Sequence, residues 1–116
     1  MAWLKVETHT PDKPEIRQIA RACRVSAGDA FAAWFRLWAW LDSVTADGHL
    51  DFLLPADCDE IARLPGIGKA LREVGWIEFD AGGGAIVLSW DRHNGKSAKK
   101  RAEDQLRKRL ARENKA

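Results

Sequence analysis

The stretch that decides the fold is LPGIGKALREVGWIEFDAGGGAIVLSW, which occupies residues 64–90. It begins with a proline-glycine turn and continues into a helical pattern over residues 67–75, which Gly75 closes. Two apolar runs, residues 76–80 and 85–90, then flank the glycine-rich turn AGGG, a pattern typical of a β-hairpin. The stretch therefore predicts a helix followed directly by a hairpin.

The residues upstream predict three more helices. Asp12 is placed to cap a first helix at about 13–23, with Pro14 in its first turn. Ser26 is placed to cap a long second helix that ends near residue 43. The aromatic residues of this second helix recur at helical spacing and are interpreted as core rather than as a platform for stacking bases. A third, short helix is expected at about 56–64.

Two short strands complete the pattern. Residues 3–7 alternate apolar and polar side chains, and residues 49–54 follow an Asp-Gly turn. The full order is helix, helix, short strand, helix, tight turn, helix and hairpin, which is the order of a winged helix-turn-helix domain. We therefore expect a mainly α protein with a small β-hairpin (α+β class), in which the hairpin is the wing.

The charge of the chain is strongly polarised. The total is +2, but residues 1–91 hold 9 basic and 14 acidic side chains, whereas residues 92–116 hold 10 basic and 3 acidic ones. These two ranges are the predicted winged-helix domain and a basic tail, helical or disordered. A body with a net charge of −5 that carries a tail of +7 favours a polyanionic partner, because local charge density sets the local potential.

The tail supplies most of the candidate DNA-binding residues. Two basic clusters recur about two helical turns apart, so both can meet phosphates along a duplex or a single strand. The candidates in the tail are Arg92, Lys96, Lys99, Lys100, Arg101, Arg107, Lys108 and Arg109. A thin apolar stripe, Ala98, Ala102, Leu106 and Leu110, also allows a homodimer through the tail, although so few apolar side chains bury little area.

The winged helix supplies the remaining candidates. Its helix at 67–75 would enter a major groove with Lys69 and Arg72 on one face, and Arg63 lies on the helix before it. Gly83, at the tip of the wing, would lie near a phosphate backbone or a minor groove. Acidic side chains of the same unit would repel phosphates, so a winged helix used for protein contact is the alternative; these acids are Asp57, Asp59, Glu60 and Glu73.

A second phosphate-binding motif is suggested by the segment LPGIG at 64–68. It resembles the hairpin of helix-hairpin-helix proteins, whose backbone N–H groups grip a phosphate without reading sequence. Arg72 and Gly75 stand where that family has a small and an aliphatic residue. The two interpretations are phosphate contact by the amides near Gly66 and Gly68, and a tight turn whose glycines supply backbone freedom.

No pattern of an enzyme is present. The chain has no P-loop, H-E-x-x-H or serine-elbow motif, its three histidines are scattered, and Cys23 and Cys58 form no C-x-x-C pair. We therefore expect no catalysis, no cofactor and no metal site. No apolar run approaches the roughly 18 residues of a spanning helix, and no secretory signal precedes the domain, so we expect a cytoplasmic protein without a membrane partner.

Four segments together resemble one known family. They are FRLWAW at 35–40, DG at 47–48, LREVGWI at 71–77 and DRHNGKSAKKRA at 91–102. In combination they are similar to the amino-terminal winged-helix domain of phage and prophage DNA replication proteins, of the replisome-organiser or DnaD-like kind. The resemblance runs over nearly the whole chain and implies origin or DNA binding that helps to load a replicative helicase.

The expected function is that of a phage-type DNA-binding protein of the replication-initiator class. Proteins of this kind usually continue into a second domain that engages the helicase or its loader, so DNA binding is the part of the activity expected of these residues. DNA is the expected partner, with a host or phage replication protein as a second one to consider. The alternatives are a small adaptor or inhibitor that binds a host protein through the acidic helix around residues 57–60, and a transcriptional regulator.

Overall fold

The computed structural model describes residues 4–90 and 105–112. Within these residues the protein is mainly helical with one small antiparallel sheet, so the expected α+β class is confirmed. Residues 105–112 are helical, which is one of the two alternatives left open for the tail. The body contains a 3-10 helix at Thr10–Asp12, α1 (Pro14–Cys23), α2 (Ala27–Val44), β1 (His49–Leu50), α3 (Pro55–Ala62), α4 (Ile67–Glu73), β2 (Ile77–Phe79) and β3 (Ala85–Val87).

The first two helices begin in different ways. Ser26 caps α2 as predicted, because its Oγ accepts a hydrogen bond from the Asp29 amide at 3.1 Å. The predicted cap at Asp12 is wrong: Asp12 ends the 3-10 helix, and Lys13 precedes α1 without any side-chain cap. Pro14 opens α1 because a first-turn residue needs no N–H donor.

α3 and α4 are shorter than predicted because left-handed residues end them early. Arg63, with φ of 58°, follows α3, and the Leu64 amide bonds back to the Asp59 carbonyl at 3.0 Å. Gly75, with φ of 80°, closes α4 as predicted, and the Trp76 amide returns to a carbonyl inside that helix. Both ends show the reverse bonding that satisfies the last carbonyls of a helix.

The sheet has the strand order β1-β3-β2, and both pairings are antiparallel. β2 and β3 form the predicted hairpin, in which Ile77 faces Val87. The strand predicted at 49–54 stops at Leu50, because the chain bends and Pro55 begins α3. No strand is present in the described part of the segment 3–7, which is a correction: its alternating pattern reflects apolar side chains that pack against the core without a strand partner.

The core lies between α2 and the elements around it. Trp34, Leu37 and Trp38 of α2 are buried, which confirms that its aromatic stripe is core, whereas Phe35 is 42% exposed. The ring centroids of Trp34 and Trp38 lie 5.3 Å apart, and both rings meet Trp76 edge to face. This cluster fixes the start of the hairpin against α2.

α3 and α4 touch at backbone distance. A Cβ placed on Gly68 would lie 2.2 Å from the Pro55 carbonyl oxygen, so only glycine fits at this position of α4. The contact sets the crossing of the two helices and hence the direction in which the outer face of α4 points. Residues 55–73, the α3–α4 unit, are therefore held as one piece.

Candidate nucleic-acid interface

α4 is divided into a buried side and a basic exposed side. Ile67 and Leu71 are fully buried, whereas Lys69 and Arg72 are exposed one turn apart on the opposite side. Arg63 is also exposed, and its left-handed backbone makes it the residue that ends α3. The predicted basic residues of the winged helix therefore all lie on the surface of the α3–α4 unit.

The turn between α3 and α4 already holds an anion, which is the Asp59 carboxylate. Its Oδ1 accepts from the Gly68 amide at 2.8 Å, and its Oδ2 accepts from the Gly66 amide at 3.0 Å. These are the amides that the helix-hairpin-helix resemblance offered to a phosphate. A phosphate would have to displace a carboxylate bonded to both, so the hypothesis of phosphate contact by these two amides is wrong.

The acids of the α3–α4 unit are not equivalent. Asp57 accepts a hydrogen bond from the Leu54 amide at 2.9 Å, at the start of α3, and Asp59 caps the start of α4. Both carboxylates therefore lie where a helix dipole favours negative charge, which offsets part of their repulsion of phosphate. Glu60 and Glu73 are exposed, so the repulsion of phosphate that was expected from all four acids comes mainly from these two.

The hairpin tip is closed by a second aspartate. Asp80 Oδ1 accepts from the Gly82 amide at 2.8 Å and the Gly84 amide at 3.0 Å, and the Gly83 amide donates to the Asp80 carbonyl. The Gly83 carbonyl accepts from the Leu53 amide at 2.9 Å, so the tip is also tied to the body.

This bonding changes the expectation for Gly83. The three glycine amides of the tip are used internally, and residues 76–90 contain two acids and no Lys or Arg. These glycine amides are therefore not free for a phosphate, and residues 76–90 supply no cation. Contact of Gly83 with DNA stays a prediction.

The basic stretch, residues 105–112, has the highest density of exposed cations in the described parts of the chain. Its eight residues are all exposed and include four basic side chains and no acid; the four are Arg107, Lys108, Arg109 and Arg112. Leu106 and Leu110 are each about half exposed. The other tail candidates, Arg92, Lys96, Lys99, Lys100 and Arg101, lie outside the described residues.

A cavity of about 160 Å³, the tryptophan cavity, was not predicted from the sequence. Among the described residues, four tryptophans line it: Trp34, Trp38, Trp76 and Trp90. The indole N–H groups of Trp34 and Trp90 are buried and have no acceptor in the described parts of the chain. Each unpaired buried donor costs about 1–3 kcal/mol. The sequence showed only that tryptophan is abundant, because the residues of this cavity come from four separate segments.

The two thiols are held in their protonated form. Burial, followed by the nearby carboxylates of Asp59 and Asp57, raises the pKa of the Cys58 thiol from 9.0 to about 12. Burial and the Asp59 charge also raise the pKa of Cys23. A protonated thiol is a poor nucleophile and a poor metal ligand. The described residues contain no group of three or more His, Cys, Asp or Glu side chains that could hold a metal ion.

No protein-family model, no curated protein and no solved structure matches this chain. None of the helices in the described ranges has the length and apolar character needed to cross a membrane.

Proposed function

We propose that this protein binds DNA as a winged-helix protein of the phage replication-initiator class. The basic stretch supplies affinity through phosphates, and α4 positions the body on the duplex. The observation that carries the proposal is the exposed helix at 105–112, in which half of the side chains are cationic and none is acidic.

The topology supports the same proposal. From α2 onward the elements follow in the order helix, strand, helix, helix, hairpin, which is the order of a winged helix-turn-helix domain. In such a domain the second helix of the turn is the one that approaches a groove. Here that helix is α4, and its outward side carries Lys69 and Arg72.

The main objection to this role for α4 is that nearby acids repel phosphates. Hydrogen bonds from backbone amides to two of these acids weaken that objection. Asp57 and Asp59 are engaged by backbone amides, so part of their charge is already compensated. The exposed charges of α4 are then two cations, Lys69 and Arg72, and one acid, Glu73. Such a helix can make a few phosphate or base contacts but supplies less affinity than the basic stretch.

The test is fluorescence anisotropy with a labelled 20-base-pair duplex and two double variants of equal charge change. Lys69→Gln with Arg72→Gln should weaken binding by about tenfold, because two phosphate contacts are lost. Arg17→Gln with Arg21→Gln is the matched control, since both are exposed on α1. An equal loss in both pairs would show that only net charge matters and would exclude a specific role for α4.

A second candidate function is protein contact beside α3. Phe52 is 84% exposed and Leu54 is 53% exposed, immediately before that helix. Neighbouring exposed apolar side chains can form an interaction surface when they make a contiguous patch. If this function is correct, Phe52→Ser removes partner binding, whereas removing residues 96–116 leaves it intact. The DNA proposal predicts the opposite result for each change when DNA is the ligand.

A further inference from the structure

Two segments of the body carry acids and no cations. Residues 37–62 hold six Asp or Glu side chains and residues 76–90 hold two, and neither range contains Lys or Arg. The first range includes the loop between β1 and α3, and the second contains the whole hairpin. A surface built from segments of one charge sign favours a partner of the opposite sign.

The loop before α3 lies against the hairpin tip, so the two acidic segments meet there. A Cβ placed on Gly84 would lie 2.7 Å from an Asp80 carboxylate oxygen and 3.3 Å from the Asp51 carbonyl oxygen. A Cβ placed on Gly83 would lie 4.0 Å from Leu54 Cδ2. Asp51 and Asp80 are both exposed. Loop and tip therefore form one surface with two exposed aspartates.

The same surface exposes large apolar side chains. Phe52, which follows Asp51 in the loop, is 84% exposed, and Leu54 is 53% exposed. We call Asp51, Phe52, Leu54 and Asp80 the acidic apolar patch. Apolar side chains flanked by carboxylates fit an amphipathic helix whose apolar side is bordered by cations.

The basic stretch at 105–112 is a helix of this kind. Leu106 and Leu110 lie one turn apart on the same side of the helix and are 47% and 48% exposed. Arg109 comes three residues after Leu106 and therefore borders the leucines, whereas Lys108 comes two residues after Leu106 and lies on the other side. The helix thus matches the patch in both charge and apolar character.

Within one chain this helix does not cover the patch. Phe52 keeps most of its surface exposed, and the two leucines of the basic stretch keep about half of theirs. A second copy of the chain offers the same helix. Two copies that exchange helices form two equal contacts, and the second contact is strengthened because the first already holds the chains together.

We infer that the acidic apolar patch of one copy binds the basic stretch of a second copy, so that two chains form a reciprocal dimer. The two leucines of the basic stretch pack on Phe52 and Leu54, and Arg109 pairs with Asp51. The contact uses no residue of α4 and does not depend on DNA binding.

The test is sedimentation equilibrium of the full chain without DNA. At about 0.2 mM chain, a concentration at which contacts of micromolar affinity are occupied, the average mass should approach twice that of one chain. The mass should fall as salt is raised, because salt screens exposed charge pairs.

Matched charge reversals locate the contact on each side. Arg109→Glu should raise the dissociation constant at least about tenfold, because an attraction becomes a repulsion twice per dimer, whereas Lys108→Glu on the other side of the helix should change it less than about threefold. Asp51→Lys should weaken the dimer as Arg109→Glu does. Its control is Asp12→Lys, since Asp12 is also exposed but ends the 3-10 helix.

Mixing the two disrupted variants tests the exchange between chains. In a mixed pair the new negative side chain of the Arg109→Glu chain meets the new positive side chain of the Asp51→Lys chain. The other contact joins the wild-type Arg109 and Asp51. Both contacts are then complementary, so the dissociation constant of the mixture should return to within about threefold of the wild-type value. A contact within one chain could not be restored in this way.

Four results would overturn the inference. The first, readable in the unmodified chain, is a monomer at every concentration. The second is an equal loss with Lys108→Glu and Arg109→Glu, which would show that only net charge matters. The third is a dimer that Arg109→Glu weakens and Asp51→Lys does not, which would place the contact between two tails. The fourth is no recovery when the two variants are mixed.

Discussion

The α3–α4 unit and the basic stretch at 105–112 both present cations to solvent, but they differ in the number of acidic side chains near those cations. In the α3–α4 unit the exposed Lys69 and Arg72 share a short segment with four acids, and two of these acids bond to backbone amides. The basic stretch has four cations and no acid. A region whose acids are hydrogen-bonded to the backbone is suited to fixing the position of the protein on DNA. A region with exposed charges of one sign is suited to binding phosphates with an affinity that salt reduces.

The hairpin resembles the α3–α4 unit, because one of its acids is also hydrogen-bonded to backbone amides. Asp80 holds the tip through two amides, as Asp59 holds the turn before α4. In both places a carboxylate of the chain itself accepts from glycine amides of the turn. The body therefore keeps these turns closed, and the proposed DNA binding depends mainly on the basic stretch for phosphate contacts.

The largest effect is expected when the α3–α4 unit itself is broken. Gly68→Ala puts a Cβ against the Pro55 carbonyl and should lower the free energy of unfolding by about 3 kcal/mol, since neither backbone can move aside cheaply. Urea unfolding followed by tryptophan fluorescence measures this loss. Gly75→Ala is the control: it has φ of 80° but open space around it, so it should cost only about 1–2 kcal/mol. Equal losses for both would contradict the close contact.

A loss of DNA affinity is expected when the basic stretch is neutralised. Lys108→Gln with Arg109→Gln should weaken duplex binding at least about tenfold and reduce the salt slope by about 2, because each phosphate contact contributes about 0.9 to the slope. Thermal unfolding should not change, since both side chains are exposed. An unchanged salt slope would remove the basic stretch from the interface.

A change with two opposite effects is expected at Asp59. Asp59→Ala removes the cap from the Gly66 and Gly68 amides and should lower the free energy of unfolding by about 1–2 kcal/mol. The same change should raise DNA affinity, because it removes a negative charge and frees two amides at the start of α4. Glu60→Gln removes the same charge from an exposed site and should leave stability nearly unchanged. If the two variants raised affinity equally, the freed amides would have no role.

The smallest effect concerns alkaline pH and is confined to the body. The folded-state pKa of Cys58 is raised to about 12 against 9.0 in an unfolded chain, so the unfolded state loses its proton first as pH rises. The contribution of the protonated Cys58 thiol to the free energy of unfolding is fully present below pH 9 and is lost between pH 9 and 12. About 1 kcal/mol of it is lost by pH 10. Chemical unfolding of the wild type and Cys58→Ala across this range isolates the slope; parallel curves would contradict it.

Local sequence patterns predicted the features that depend on a few adjacent residues. Ser26 caps α2, Gly75 closes α4 and the glycine-rich turn joins β2 to β3, because each feature is decided within about five residues. The closure of the hairpin tip by Asp80 was also within reach, since aspartates bond to amides two residues later.

Features that depend on distant residues were not predictable in the same way. Asp59 reaches the amide of Gly68 nine positions later, and nothing in a local pattern distinguishes that acid from Glu60. The tryptophan cavity joins residues from the amino-terminal segment to Trp90, and residues 4–7 form no strand because they pack against this cluster instead. Contacts between residues far apart in sequence determine whether such a segment forms a strand, and hydrophobic periodicity alone does not predict those contacts.

The most direct test of the central claim is the salt dependence of duplex binding by the full chain. Fluorescence anisotropy with a 20-base-pair duplex should give a slope of log affinity against log salt near −5, as expected if about six phosphates are neutralised. A preference among duplex sequences would add a role for α4. No binding at the lowest salt concentration, or a slope near zero, would contradict DNA binding through the basic stretch.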